Sequence, residues 1–228
     1  MRGKIIVFEG TDSSGKATQS RLLLEHLQKN GFSAEPLDFP RYESFFGSLV
    51  GKYLAGEFGT VESLPPEFCA LLFSIDRYQL KYEIESKLEN GIFLVANRYV
   101  QSNIAHQTAK FSSAEQQKEF LSWIESLESR MPKADTVVFL NMPTEAAQSL
   151  MNGSDRKKSY RKGKEKDLHE ADPAYLERTR KVYSLLAKKH NWIEITCAEK
   201  KQGSWAVKPI GAVNKEVLEK LRARQIIK

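Results

Sequence analysis

Five short apolar runs punctuate the chain, and amphipathic stretches with helical spacing fill the intervals between them. Lys4–Phe8, Ser33–Phe39, Ile92–Ala96, Thr136–Leu140 and Trp192–Thr196 read as strands, each separated from the next by at least one helix. That alternation predicts a parallel sheet covered on both faces. The helices have their own punctuation. Ala17–Gln28 is amphipathic; Pro65-Pro66 opens a helix expected to run to Asn90, where Gly91 ends it. Ser112-Ser113-Ala114-Glu115 resembles a capping start for a helix reaching Ser129, and Asp172-Pro173 starts another that reaches His190. Asn214–Arg224 reads as a final helix after an irregular stretch from Gly203 to Val213. Asn152–Glu170 lacks apolar periodicity and is rich in Lys, Arg, Gly and Ser, which predicts an excursion or lid between two helices. No internal repeat is visible.

The first strand runs directly into Gly10-Thr11-Asp12-Ser13-Ser14-Gly15-Lys16, which has the G-x-x-x-x-G-K pattern. Strand, glycine loop and helix in that order are what a phosphate-gripping loop requires. Gly10 and Gly15 let backbone N–H groups turn inward, the helix N-terminus favours an anion, and Lys16 can reach the β- and γ-phosphates. The loop therefore predicts a site for ATP or GTP, formed by these seven residues with Ala17 and Thr18.

Composition narrows the picture only slightly. A chain of 228 residues is long enough for one domain with a substantial core, and a formal net charge of +6 suits a polyanionic ligand. Much of the basic excess is local, between Arg156 and Lys166. Cys69 and Cys197 stand alone, without metal-ligand spacing, and are expected to be reduced core thiols. No apolar run is long enough to span a membrane and the first strand begins within a few residues, so a soluble cytoplasmic protein is expected.

Four further motifs sit near predicted strand ends or on the middle helix: Asp38-Phe39-Pro40-Arg41-Tyr42, Leu72-Phe73-Ser74-Ile75-Asp76-Arg77, Asn97-Arg98-Tyr99-Val100-Gln101-Ser102-Asn103, and Lys166-Asp167-Leu168-His169-Glu170. Carboxyl ends of strands are where open α/β sheets bind ligands. In this order and spacing the motifs resemble the thymidylate kinases of the nucleoside monophosphate kinase family, from Glu9 to about Tyr183.

The resemblance implies a single P-loop α/β domain over residues 1–228, with a five-stranded parallel sheet in the order 2-3-1-4-5, helices on both faces and a basic lid over 152–170. It also implies phosphoryl transfer from ATP to dTMP with Mg²⁺, in a homodimer that binds neither nucleic acid nor membrane. By resemblance, Arg98 would touch the acceptor phosphate, Arg41 would help hold it, Phe73 would stack on thymine, and Arg77 and Asn103 would hydrogen-bond the base. Phe39, Tyr42, His106 and Gln107 complete the implied acceptor site. The implied catalytic residues are Asp12, Lys16, Arg98, Arg156 and Arg161. The last two matter because the loop interior, Thr11 to Ser14, has no arginine.

The chain departs from the family at three positions. Ala17 replaces the usual hydroxyl ligand for Mg²⁺, and Asn97 replaces a common aspartate, so the metal would be held through nucleotide, water and Asp12. His106 takes the place of an aromatic that lies beside the sugar in relatives. Kinases for another nucleotide or for a nucleoside, or a weakened nucleotide-binding regulator, are the alternatives; the paired arginines 41 and 98 favour a monophosphate over a nucleoside.

Overall fold

A computed structural model describes residues 2–60, 63–152 and 172–227, with Met151 and Asn152 described by their backbone alone. Five strands form one parallel sheet: β1 (Ile5–Glu9), β2 (Ala34–Asp38), β3 (Phe93–Asn97), β4 (Thr136–Asn141) and β5 (Ile193–Thr196), in the order β2-β3-β1-β4-β5. The register sets Phe8 beside both Asn97 and Val138, so β1 is the central strand. Its first four side chains are fully buried on alternating faces. Ile6 and Phe8 join Leu23, Leu27 and Val217 on one side, whereas Ile5 and Val7 join Ile84, Leu88 and Leu94 on the other. Burying each such side chain contributes about 1.5–3 kcal/mol, which is why a strand covered on both faces reads as an unbroken apolar run.

The helices that cover the sheet are α1 (Lys16–Lys29), α2 (Phe45–Leu54), α3 (Pro66–Tyr78), α4 (Lys81–Glu89), α5 (Val100–Thr108), α6 (Ala114–Glu128), α7 (Thr144–Asn152), α8 (Pro173–Lys189) and α9 (Ile210–Ala223). Strand positions and sheet order agree with expectation to within a residue or two.

Two expectations are corrected. The helix expected over 66–90 is broken at Gln79–Leu80. The Gln79 amide donates to the Asp76 carbonyl at 2.9 Å and to Ser44 Oγ at 3.0 Å. With that carbonyl engaged, the Leu80 N–H turns to Arg77 O at 3.0 Å, and α4 starts in a new direction. The stretch 203–213 is not irregular. β6 (Ala198–Lys201) and β7 (Ser204–Val207) form an antiparallel hairpin whose two turn residues, Gln202 and Gly203, both have positive φ, and α9 starts four residues before the expected Asn214.

α2 and α5 are additional to the expected elements, and α7 is the helix expected before the excursion. Ser44 caps α2 by accepting the Gly47 N–H at 3.0 Å, and Gly47 lies so close to the preceding turn that a Cβ there would be 1.8 Å from Arg41 O. Only glycine lets α2 seat against the segment that follows β2. Both cysteines are free and buried, as expected. The expected excursion, with Arg156 and Arg161, lies outside the described residues.

Candidate active site

The loop from Gly10 to Gly15 leaves the carboxyl end of β1 and turns into α1. Gly10 has φ +145°, and a Cβ on it would come within 2.7 Å of Leu140 O; Gly15 has φ +93° and Ser13 φ +59°. Gly15 caps α1 with no side-chain hydrogen bond, which leaves the first-turn N–H groups to a ligand. Lys16 is buried and donates from Nζ to Thr11 O at 2.8 Å. The hydroxyls of Thr11 and Ser14 are buried without a hydrogen-bond partner. These orphaned groups around a positive helix end form a cradle suited to phosphate oxygens.

Consecutive residues of this loop line two different clefts. Ser13, Ser14 and Gly15 face one, bounded by Thr18, Met142, Cys197, Val207 and Ile210, with Lys208 at its polar edge. Burial pushes the Cys197 thiol up to about 12, so it acts there as a neutral apolar wall. Sequence reasoning missed these wall residues beyond Thr18, although Cys197 directly follows the last sheet strand, where the rule of carboxyl ends would have found it. Asp12 faces the second cleft with Phe39, Tyr42, Phe73, Arg77, Arg98, Asn103, His106 and Gln107. This cleft opens to solvent and combines aromatic walls with a few convergent polar groups, the make-up of small-molecule sites.

Arg98 stands where loop and cleft meet. Its φ of +68° turns the chain sharply after β3, and its guanidinium donates to Asp12 Oδ1 at 2.8 Å, to Ser102 Oγ at 2.8 Å and to Gly10 O at 3.4 Å. Burial works against its charge, but Asp12, with Tyr183 and Glu9 behind, more than offsets this and holds the guanidinium protonated. His106 lies 3.3 Å from Arg98 through Nε2 and 3.2 Å from Tyr175 Oη through Nδ1, while the Tyr175 hydroxyl donates to the His106 carbonyl at 2.8 Å. The network assigns Nδ1 as the protonated nitrogen and Nε2 as the acceptor from Arg98.

Glu9 is the residue that sequence reasoning did not single out. Fully buried at the end of β1, its carboxylate accepts the N–H groups of Tyr99 and Ser102 at 2.9 and 3.0 Å and the hydroxyls of Ser102 and Tyr183 at 2.8 and 2.9 Å. It thereby caps α5 and ties the loop after β3 to β1. Burial raises its pKa above the usual carboxylate range, against the opposing pull of Arg98 and these hydrogen bonds.

At the far end of the cleft, Arg77 pairs with Glu128 rather than with its neighbour Asp76. Asp76 instead braces the turn before α2, accepting the Arg41 N–H at 3.1 Å. Phe73 is half-buried and meets Tyr53 edge-on at 6.0 Å, leaving a face for stacking, and Phe39 is buried 6.0 Å from Tyr99. Buried atoms without partners gather here: Arg77 Nε, Asn103 Oδ1, and both Oε1 and Nε2 of Gln107, a side chain 0% exposed. Arg41 is exposed and does not line the cleft, so its place is at the rim. Asn97 bonds Asp38 through its side chain and keeps a buried oxygen unpartnered. Ala17 is exposed, and among the described residues no cluster of three or more metal-ligating side chains occurs.

A parallel sheet in this order, a glycine loop gripping phosphate and two clefts on either side of that loop define a P-loop nucleotide-binding α/β protein. The thymidylate kinase family model matches residues 8–204, and the chain belongs to that family. It is similar to the thymidylate kinases of Plasmodium falciparum (37% identity over 148 residues, 65% of this chain and 66% of the relative) and Homo sapiens (36% over 141 residues, 62% of each). The alignments thus span less than two-thirds of these relatives' length. Among solved structures, thymidylate kinase from Candida albicans superposes with a TM-score of 0.72 at 25% identity, covering 98% of this chain and 93% of the other.

The burial of Glu9 has a measurable signature. Because its folded value lies above the ordinary 4.5, its contribution to stability is complete below that pH and declines as pH rises through the raised value. Glu9→Gln removes this slope, so the stability of wild type relative to the variant should fall as pH rises from about 4 in urea unfolding series. A difference that is flat or grows with pH would contradict the assignment.

Proposed function

We propose that this chain is a kinase of one domain that transfers the γ-phosphoryl group of ATP to dTMP, giving dTDP and ADP. One observation carries the choice of acceptor. Thymine presents an imide edge, a ring N–H between two carbonyl oxygens, and the cleft offers a buried unpartnered donor on Arg77, an acceptor on Asn103 and both kinds on Gln107. The polarity of the pocket complements that edge, and half-buried Phe73 offers a ring for stacking.

On this reading ATP lies on the loop side, its phosphates on the backbone N–H groups of residues 13–16 and on Lys16, which exchanges Thr11 O for phosphate oxygen. The acceptor phosphate lies near Arg98, whose partners fix it at the boundary between the clefts. Phosphoryl transfer asks the protein chiefly for positioning and charge neutralisation, and Lys16 and Arg98 supply both. Asp12, bonded to Arg98, orients that guanidinium. The donor set fits a Mg²⁺ held by nucleotide oxygens and water, with Asp12 and Asn97 nearby, better than one held directly by protein; bound there, the metal would neutralise phosphate charge. Arg156 and Arg161 are proposed to supply the remaining positive charge, since the loop itself has no arginine.

A homodimer is proposed through α3, where Phe68, Leu71, Ile75 and Tyr78 are 40–51% exposed and recur at helical spacing on one face. No helix among the described residues is long and apolar enough to cross a membrane, and the two reduced thiols suit the cytoplasm we propose for the protein.

Three outcomes are expected. In a coupled assay with ATP and Mg²⁺, dTMP should give the highest kcat/KM, with dUMP lower by roughly 10- to 100-fold for the missing methyl group; a higher value for UMP or CMP overturns the acceptor assignment, and turnover without Mg²⁺ overturns the metal's role. Arg156→Ala with Arg161→Ala should lower kcat by orders of magnitude with little change in dTMP affinity, and a change confined to KM would remove these arginines from catalysis. Sedimentation should report a dimer that Leu71→Glu with Ile75→Glu converts to monomer; a wild-type monomer at micromolar concentration refutes the interface.

A further inference from the structure

Glu128 lies at the last turn of α6, behind the base end of the cleft rather than on its lining. It is nevertheless the hub of that end. Its Oε1 accepts from Arg77, from Ser74 Oγ at 2.8 Å and from Asn103 Nδ2 at 2.8 Å. We propose that Glu128 is a positioning residue that fixes the hydrogen-bond polarity of the acceptor pocket, so that the site takes a base with a ring N–H and rejects one whose ring nitrogen is an acceptor.

The argument turns on the Asn103 amide. Its nitrogen also reaches the Ala70 carbonyl at 3.0 Å and Ser74 Oγ at 3.3 Å. A carboxylate and a carbonyl accept only. Were the amide reversed, its oxygen would face both and two buried acceptor contacts would become repulsive, so Oδ1 is held on the side with no protein partner. Arg77, anchored on the same Glu128 oxygen, can only donate. The free groups of these two residues are therefore one acceptor beside one donor. A thymine or uracil edge offers the complementary donor and acceptor. Cytosine offers the reverse at both positions, an acceptor ring nitrogen and a donor amino group, and would leave two buried mismatches. Discrimination by buried polar groups of this kind reaches several orders of magnitude, far more than a methyl pocket supplies.

This inference rests on the proposed monophosphate acceptor, and the test separates the two. Wild type, Glu128→Met and Ser74→Ala are assayed with ATP and either dTMP or dCMP, and binding of each monophosphate without ATP is followed by calorimetry. A glutamine would offer its carbonyl oxygen to the same three donors, since Oε2 has no partner, whereas Glu128→Met keeps the length of the side chain and removes the acceptor, so the Asn103 amide loses its anchor. The kcat/KM ratio of dTMP to dCMP should then fall by at least about tenfold, mainly through a higher KM for dTMP, while kcat at saturation stays within about threefold. Ser74→Ala, which removes one hydrogen bond to Glu128 and the weaker one accepted from Asn103 with little loss of volume, should move the ratio the same way by at least about threefold, and it decides the matter if Glu128→Met shows no cooperative unfolding. A ratio that is unchanged while both substrates lose activity together means that Glu128 only supports the fold, and overturns the proposal. A wild type that does not prefer dTMP over dCMP overturns the acceptor reading and this inference with it.

Discussion

The central strand ends in a carboxylate that has no access to water, and the geometry of the site depends on how that carboxylate is satisfied. Four donors converge on Glu9, two of them the backbone N–H groups of Tyr99, which precedes α5, and of Ser102 in its first turn. A buried carboxylate stripped of its partners would cost several kcal/mol, so the segment that follows β3 has little freedom to move away from β1. Arg98 sits inside that segment with a left-handed backbone. Its strained conformation persists because Glu9 holds the residues after it and Asp12 holds its side chain. The phosphate loop and Arg98 are thereby fixed relative to one another before any nucleotide arrives.

A second buried carboxylate performs the corresponding task at the other end of the cleft, and α5 connects the two. Ser102 reaches Glu9 while Asn103, next along the helix and rotated by about 100°, reaches Glu128. Gln107 follows Asn103 at i+4 on the same face. One helix thus presents Ser102, Asn103 and Gln107 to the cleft at separations set by helical geometry. The orphaned atoms of Arg77, Asn103 and Gln107 each cost about 1–3 kcal/mol while unsatisfied. A ligand that satisfies them recovers that free energy on binding, so the site is destabilised for the sake of recognition and ligand binding should stabilise the fold.

What was legible in the sequence is what local chemistry determines. The glycines of the phosphate loop, the apolar strands and the capped helices are readable because each needs only its neighbours. Phe73 and Arg77, four apart on a helix, and Asn103 after the third strand could be grouped through the family resemblance that the motifs carry, and they do line one cleft. Glu9 and Glu128 could not be found in this way. Their partners lie 90 and 51 residues away in sequence, and as isolated letters they are an acidic residue before a glycine and one near a helix end. The break at Gln79 was equally hidden, since its cause is a side chain reaching Ser44 across 35 residues. The hairpin at Gln202-Gly203 is a different kind of miss: the signal was local, but glutamine is an uncommon first residue for a turn with two positive φ values. Arg41 was placed by its charge and its position after β2. Charge alone does not aim a side chain, and the Arg41 backbone is what the fold holds.

The phosphate loop itself sets the boundary between the two clefts. Asp12 lines the cleft of Arg77 and Asn103, and Ser13 lines the other, although the two are adjacent in sequence. Ser13 has φ +59°, a conformation that reverses the direction of the chain over a single residue, and the reversal separates the side chains on either side of it. The two clefts therefore lie on either side of one turn of backbone, and groups bound in both would come within reach of one another without movement of the sheet, as the proposed transfer between two nucleotides requires.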